Sequence, residues 1–380
     1  MSANIEPSAT GVPGNYNVKT LPAIPKLGTL YSRGAVGSLA TTAAASKGVA
    51  KLPNIAYEVT DVKTVPLLHH LVEYQRLVKE PISDVLPSGY LHTLAFPLAM
   101  AVMIRTDFPL PLLGMVHLAN DATLYSPVHL GDVLEVLAWT ENLRPHKRGV
   151  QVDIVAEILK LPPVAEDGTA VGEPTLAWRG VSTYLAKGVK MRAGAAGSDG
   201  VPDSGDASDA VAAGAAGAGA ARADTADATP DASEAEPAEV GYLEPAEIEP
   251  VAATTGHADW TPPHPTARWR LTGGLGREFG AVSGDRNPIH MSKLSAKAFG
   301  FPRTIAHGMY TAARALAETG AGRGDTYRWT VEFAKPVLLP STVEVAINKS
   351  KTPEGGVAYD YVGWNGSKNI RHFSGTVTPL

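Results

Sequence analysis

Cysteine is absent from the 380 residues. Disulfides, thiolate metal sites and a cysteine nucleophile are therefore excluded, and the composition suits a reducing compartment. No stretch of about 18 uninterrupted apolar residues occurs, so no transmembrane helix and no membrane partner are expected. The opening segment "MSANIEPSATGVPGNYNVK" has no apolar run behind a basic cluster. No secretory signal is expected, and the cytoplasm is the expected location. Dense basic patches are missing, which argues against a nucleic-acid partner. A G-x-S-x-G elbow is also missing, which argues against an ordinary serine hydrolase.

What is present is a globular composition, 44% hydrophobic and 19% charged, on a chain longer than one small core usually holds. Charge is uneven. Residues 193–250 hold 13 acidic side chains and one Arg, a balance of −12 against −5 for the whole chain, leaving +7 on the rest. A mildly basic body favours an anionic ligand, such as a nucleotide-bearing cofactor or an acidic carrier protein. The same stretch is Ala, Gly, Asp and Ser with almost no large apolar residue, too little to offset its ordering entropy. A disordered acidic linker is expected over 191–250, between an N-terminal domain over 51–190 and a C-terminal domain over 251–380. Residues 1–50, rich in Gly, Ala and Pro, form a tail that is free or wraps over the surface.

The two domains resemble each other. "SPVHLGDVLEV" from Ser126 lies beside "KPVLLPSTVEV" from Lys335, and "GVQVDIV" from Gly149 beside "GVAYDYV" from Gly356. Each domain carries an apolar helix candidate, over Leu91–Arg105 and His307–Gly320, with Pro97 expected to start or kink the first. Four alternating runs follow each helix. They are "MVHLANDATLY", "DVLEVLAWTE", "GVQVDIVAEI" and "LAWRGVSTYLA", then "TYRWTVEFA", "TVEVAINKS", "VAYDYVGW" and "IRHFSGTV". Such alternation reads as antiparallel strands. The expected class is α+β, in two copies of one unit.

One loop concentrates chemistry. "AVSGDRNPIHMS", Ala281 to Ser292, places Asp285, Asn287 and His290 on a backbone bent by Gly284 and Pro288. Gly284 permits backbone angles closed to other residues, and Pro288 holds Asn287 extended. A rigid loop presenting a carboxylate and an imidazole together is what acid–base work requires. The bland alternative is a polar turn with a capping Asp. Downstream, "GFPRTIAHGMYTAARAL" starts a helix at Gly308. Free N–H groups at a helix N-terminus can hold an oxygen on which charge develops. Gly308 is alternatively a close-packing position, and His307 reads as a structural or capping residue.

The segment "FGAVSGDRNPIHMSKLSAKAFGFPRTIAHGM" resembles the MaoC-like family of (R)-specific enoyl-thioester hydratases and 3-hydroxyacyl-thioester dehydratases. The resemblance is carried by Phe279, Ser283-Gly284-Asp285, Asn287-Pro288-Ile289-His290, Ala296 and Ile305-Ala306-His307-Gly308-Met309. It implies a double hot-dog fold, two antiparallel sheets each wrapped around a central helix and joined by the linker. It also implies a catalytic dyad of Asp285 and His290, an oxyanion donor at the Gly308 N–H, and Asn287, Ser283 and Gly284 as orienting residues. No metal or cofactor is implied, and acyl-CoA or acyl carrier protein is the implied partner, as substrate carrier. A monomer built as a pseudo-dimer and a homodimer are equally open.

The sequence departs from the family in two places. The N-terminal domain lacks the Asp-x-Asn-Pro-x-His loop, its nearest counterparts Asp84 and His92 having the wrong spacing, so it resembles a degenerate repeat that shapes the acyl pocket. Ser292-Lys293 stand where many relatives carry an acidic residue, with no catalytic consequence expected. A thioesterase and a non-catalytic acyl-binding subunit are the alternative readings on the same fold. "GGLGREFG", Gly273 to Gly280, lacks the spacing and βαβ context of a dinucleotide loop. His69 and His70 are adjacent on a helix candidate and point apart, so they share no metal. "LAFPLAMAVMI" reads as core.

Overall fold

The computed structural model describes residues 11–31, 49, 51–112, 115–192, 260–353 and 355–380. The expected acidic linker and most of the tail around residue 40 lie outside the described residues.

Each half runs strand, helices, four strands. In the first, β2 (Ile55–Lys63) precedes α2 (Leu68–Val78) and α3 (Ser88–Met103), then β3 (Met115–Leu124), β4 (Val133–His146), β5 (Gly149–Lys160) and β6 (Thr175–Lys187). In the second, β7 (Ala267–Leu271) precedes α4 (Leu275–Ser283), α5 (Pro288–Met291), α6 (Lys293–Ala298) and α7 (Gly308–Glu318). There follow β8 (Tyr327–Phe333), β9 (Ser341–Lys351), β10 (Val357–Asn365) and β11 (Ile370–Pro379). Ahead of both halves lie β1 (Asn17–Thr20) and α1, described over residues 27–31. The orders β2-β4-β5-β6-β3 and β7-β9-β10-β11-β8 reversed against each other express the repeat seen in the sequence.

Where two separate sheets were expected, the strands among the described residues form one sheet of eleven, ordered β1-β2-β4-β5-β6-β3-β8-β11-β10-β9-β7. The seam is an antiparallel pairing of β3 with β8, from Ala119↔Glu332 to Leu124↔Tyr327. The reason is physical: each five-stranded half ends in a strand with an open row of N–H and C=O groups, and pairing them satisfies both edges.

α3 and α7 are the central helices. α3 is apolar nearly all round, with Leu91, Leu98 and Val102 fully buried, as a helix enclosed by core must be. It starts at Ser88 and runs through Pro97, so the proline is not its start. α7 meets the sheet with small residues, Ala312 and Ala315 being fully buried. The two helices approach where a Cβ on Gly89 would lie 3.1 Å from that of Ala313. The halves are also tied by Arg323 and Glu80, a nearly buried ion pair. Among the described residues no helix is long and apolar enough to cross a membrane.

The N-terminal segment wraps. β1 adds to the sheet parallel to β2, and Leu27 and Leu30 of α1 are buried in the core.

Candidate active site

The site forms where α4 ends and α7 begins. α4 stops at Gly284, whose φ of 72° is left-handed, the C-cap geometry that favours glycine. Ser283 closes this corner: its hydroxyl donates to the Phe279 carbonyl at 2.7 Å and accepts from the Asp285 N–H at 3.2 Å. The chain then turns so that the Asn287 N–H donates to Asp285 Oδ1 at 3.1 Å. Asn287 Oδ1 in turn caps the short helix α5 at the Ile289 N–H, with Pro288 at its first position. The Asn287 side chain is therefore directed to the helix, and its backbone to the carboxylate.

α5 carries His290 into the interior. Its Nδ1–H donates to the Ile305 carbonyl at 2.8 Å. A carbonyl only accepts, so this bond fixes the tautomer and leaves Nε2 with its lone pair. His307, at the N-cap of α7, donates from Nε2 to the Asp285 carbonyl at 2.9 Å. The two rings stack, centroids 3.6 Å apart at 24°. His307 thus joins the chemistry that the sequence placed on Asp285 and His290. It does so as a support for the loop, and its i+17 distance from His290 carries no helical or strand period that would have revealed the stacking.

Charge states follow from these contacts. Burial alone would raise the Asp285 pKa. His307, His290, the Tyr31 hydroxyl and the Asn287 N–H outweigh it and hold the carboxyl below its ordinary value, so Asp285 is ionised. Burial lowers His290, against the pull of Asp285 and the Ile305 carbonyl, so its imidazole is neutral near pH 7. His307 is lowered to about 3 by burial and by His290, and is neutral as well.

One side-chain ligand atom from each of Asp285, His290 and His307 lies within 4.8 Å of the others. The trio does not fit a metal ion. An imidazole binds a metal in its ring plane, and two stacked rings direct their lone pairs side by side instead of at one point. His290 Nδ1 and His307 Nε2 are also engaged with carbonyls.

Gly308 is the first residue of α7, so its N–H has no carbonyl within the helix to bond. A side chain there would meet the Phe333 ring at 2.9 Å. Close packing therefore requires this glycine, and the same position carries the free N–H of the helix terminus.

In the first half the matching elements do not assemble. Asp84 is exposed and accepts from His129 Nδ1 at 3.0 Å. His92 lies on α3, lining an apolar cavity with Phe96, Ala99, Ala156, Trp178 and Tyr184. His117 stacks on Tyr184 with centroids 4.5 Å apart. Burial dominates the electrostatics of His92, His117 and Tyr184, with a smaller influence from the Asp285 charge. His69 and His70 do separate, His69 to Glu73 and His70 to the Tyr90 hydroxyl.

A residue beyond the sequence reading also enters. The Tyr31 hydroxyl donates to Asp285 Oδ1 across 254 residues of chain. No spacing within the sequence marks that contact.

Comparison with known proteins agrees with this geometry. Residues 262–359 match the MaoC like domain. The chain is 29% identical over 330 residues to the 3-hydroxyacyl-thioester dehydratase X of Mycobacterium tuberculosis, covering 87% of this chain and 91% of that protein. It superposes on the crystal structure of HtdX from the same organism with a TM-score of 0.57 and 27% identity, covering 86% of this chain and 100% of that one. A further structure described as a MaoC-like dehydratase, 17% identical, shares the fold with a TM-score of 0.51 over 86% of this chain and 97% of that one. Residues 262–359 thus carry a MaoC like domain, and the likeness to dehydratases extends over most of the chain.

Proposed function

We propose that the protein reversibly hydrates trans-2-enoyl thioesters to (R)-3-hydroxyacyl thioesters, in fatty-acid metabolism, with CoA or acyl carrier protein as the thioester carrier. The observation that carries this reading is the meeting of an ionised carboxylate and a neutral imidazole, with side-chain atoms within 4.8 Å, beside the N-terminus of α7. Two hydrogen bonds of about 2.8 Å at a tetrahedral oxygen span about 4.6 Å, so a separation at the upper end of that range leaves room for one water.

In this reading Asp285 accepts one hydrogen of the water and His290 Nε2 takes the other as a proton while the oxygen bonds to C3. The C2=C3 π pair moves toward the thioester carbonyl, giving enolate character. The Gly308 N–H meets the charge on that oxygen, aided by the positive end of the helix dipole. The imidazolium, stabilised by Asp285, returns its proton to C2 on the same face. The water's other hydrogen stays on the new hydroxyl, and the enzyme is unchanged. Dehydration is the reverse. In this reading the first half, which has no dyad, shapes the acyl pocket, with α3 and strands β5 and β6 as its wall.

The test is a hydration assay of the full chain with crotonyl-CoA and a longer 2-enoyl-CoA. It follows loss of the conjugated-thioester absorbance and the configuration of the product. Asp285→Asn and His290→Ala should each lower kcat by about 10²–10⁴. Free thiol without hydroxyacyl product would replace the reading with a thioesterase. Inactivity toward both CoA and carrier-protein thioesters would leave an acyl-binding protein.

A further inference from the structure

We propose that Tyr31 is a positioning residue for this reaction: delivered by the N-terminal strap, its hydroxyl fixes the Asp285 carboxylate through Oδ1 and leaves Oδ2 to the water. The inference rests on the hydratase reading above.

The strap is anchored at both ends. On the first half, the Gly11 N–H donates to Glu157 Oε2 at 2.8 Å and the Tyr16 hydroxyl to the Thr140 carbonyl at 2.6 Å. β1 then pairs with β2 in register from Asn17↔Ile55 to Thr20↔Glu58. On the second half, Leu27 lies against Gly284, where a Cβ would come 2.5 Å from Leu27 Cδ1. Leu27 is thus packed on the residue that precedes Asp285. Leu30, also buried, seats the same turn of helix. Tyr31 follows directly and reaches the carboxylate.

The carboxylate is left asymmetric. Oδ1 accepts from both the Tyr31 hydroxyl and the Asn287 N–H. Oδ2 has His307 Nε2 at 3.7 Å, too long for a hydrogen bond. A carboxylate otherwise turns between two equivalent orientations with little resistance. Two donors on one oxygen select one orientation and present the other oxygen to the reaction.

Tyr31 suits the task chemically. Burial and the neighbouring Asp285 charge push its hydroxyl far above the ordinary tyrosine range, so it stays a donor at every working pH. The other groups around Asp285 are His290 from α5 and His307 from the start of α7. Farther off are His92 from α3, His117 from β3 and Tyr184 from β6.

The experiment compares wild type, Tyr31→Phe and Asp285→Asn as full chains. Loss of a hydrogen bond to a charged group predicts a kcat about 10-fold or more lower in Tyr31→Phe. KM should change by less than about 3-fold, because the contact is with the catalytic group and not with the substrate. In ¹³C-carboxyl NMR, with the Asp285 signal assigned from its absence in Asp285→Asn, the Asp285 titration should move to higher pH in Tyr31→Phe. Wild-type kcat in Tyr31→Phe, or superposing titrations, would overturn the proposal. If the wild type hydrates no thioester, the hydratase reading fails on its own, and the NMR titration still decides whether Tyr31 holds the carboxylate.

Discussion

His290 and His307 stack with ring centroids 3.6 Å apart, and each ring commits a different nitrogen to a backbone carbonyl. His290 donates to Ile305, which joins α5 to the approach of α7. His307 donates to Asp285, which joins the start of α7 back to the loop. The two bonds and the stack make the 285–307 region a closed clamp. His307→Ala should therefore loosen the placement of Asp285 while leaving the residue itself. We expect kcat to fall about 10-fold and stability to fall by about 1–3 kcal/mol, the cost of an unmade buried hydrogen bond. Steady-state kinetics beside urea unfolding would check both numbers; an unchanged kcat would remove His307 from the clamp.

Acid should unfold this protein through its histidines. Burial lowers His92 to about 4, His117 to about 3 with help from His92, and His307 to about 3 with help from His290. All three start from 6.5 in the unfolded chain. Between these values the unfolded chain binds more protons than the folded one, so stability falls as pH falls. The contribution is fully present above about 6.5 and is lost progressively down to the folded values near 3–4. Each imidazole contributes up to about 1.4 kcal/mol per pH unit within that window. Urea midpoints measured from pH 7 to pH 5 should drop steeply, and His117→Phe should flatten the slope. A flat profile would show that the three rings are hydrated.

Chain length should respond to the wall of the cavity rather than to the dyad. Ala156 lines the space between α3 and the sheet together with Phe96 and Ala99. The space is small, so Ala156→Leu overfills it and pushes on α3, at a cost of about 1–3 kcal/mol of stability. Activity toward a long 2-enoyl thioester should fall by about 10-fold or more while crotonyl-CoA is spared, on the scale of a few methylenes of lost burial. Equal loss on both substrates would place the acyl chain elsewhere.

Much of the fold was legible because its signals are local. All eight alternating runs became strands, β3 to β6 and β8 to β11, since period-two burial needs only a sheet with one wet face. β7 was available in the same way: "ARWRL" buries Ala267, Trp269 and Leu271 and exposes both arginines. Its place as an antiparallel edge depends on β9, about seventy residues away. The union of β3 with β8 was out of reach for the same reason, because edges carry no mark of what they will pair with. Asp285 and His290 lie close together because the motif loop that carries both spans one turn and one helix start. Tyr31 and the stacking of His307 on His290 were not legible, since both arise from tertiary packing between segments that share no period.

The seam between β3 and β8 has a consequence for how the protein responds to dilution. Two hot-dog units held in separate chains are in a concentration-dependent equilibrium, and a site built at their junction dissolves with the pair. Here the covalent chain sets the local concentration of one unit around the other, whatever the amount of protein in solution. The first half and the acid–base loop of the second therefore stay matched one to one. The two copies are also free to diverge independently, because a substitution in one is not imposed on the other by symmetry.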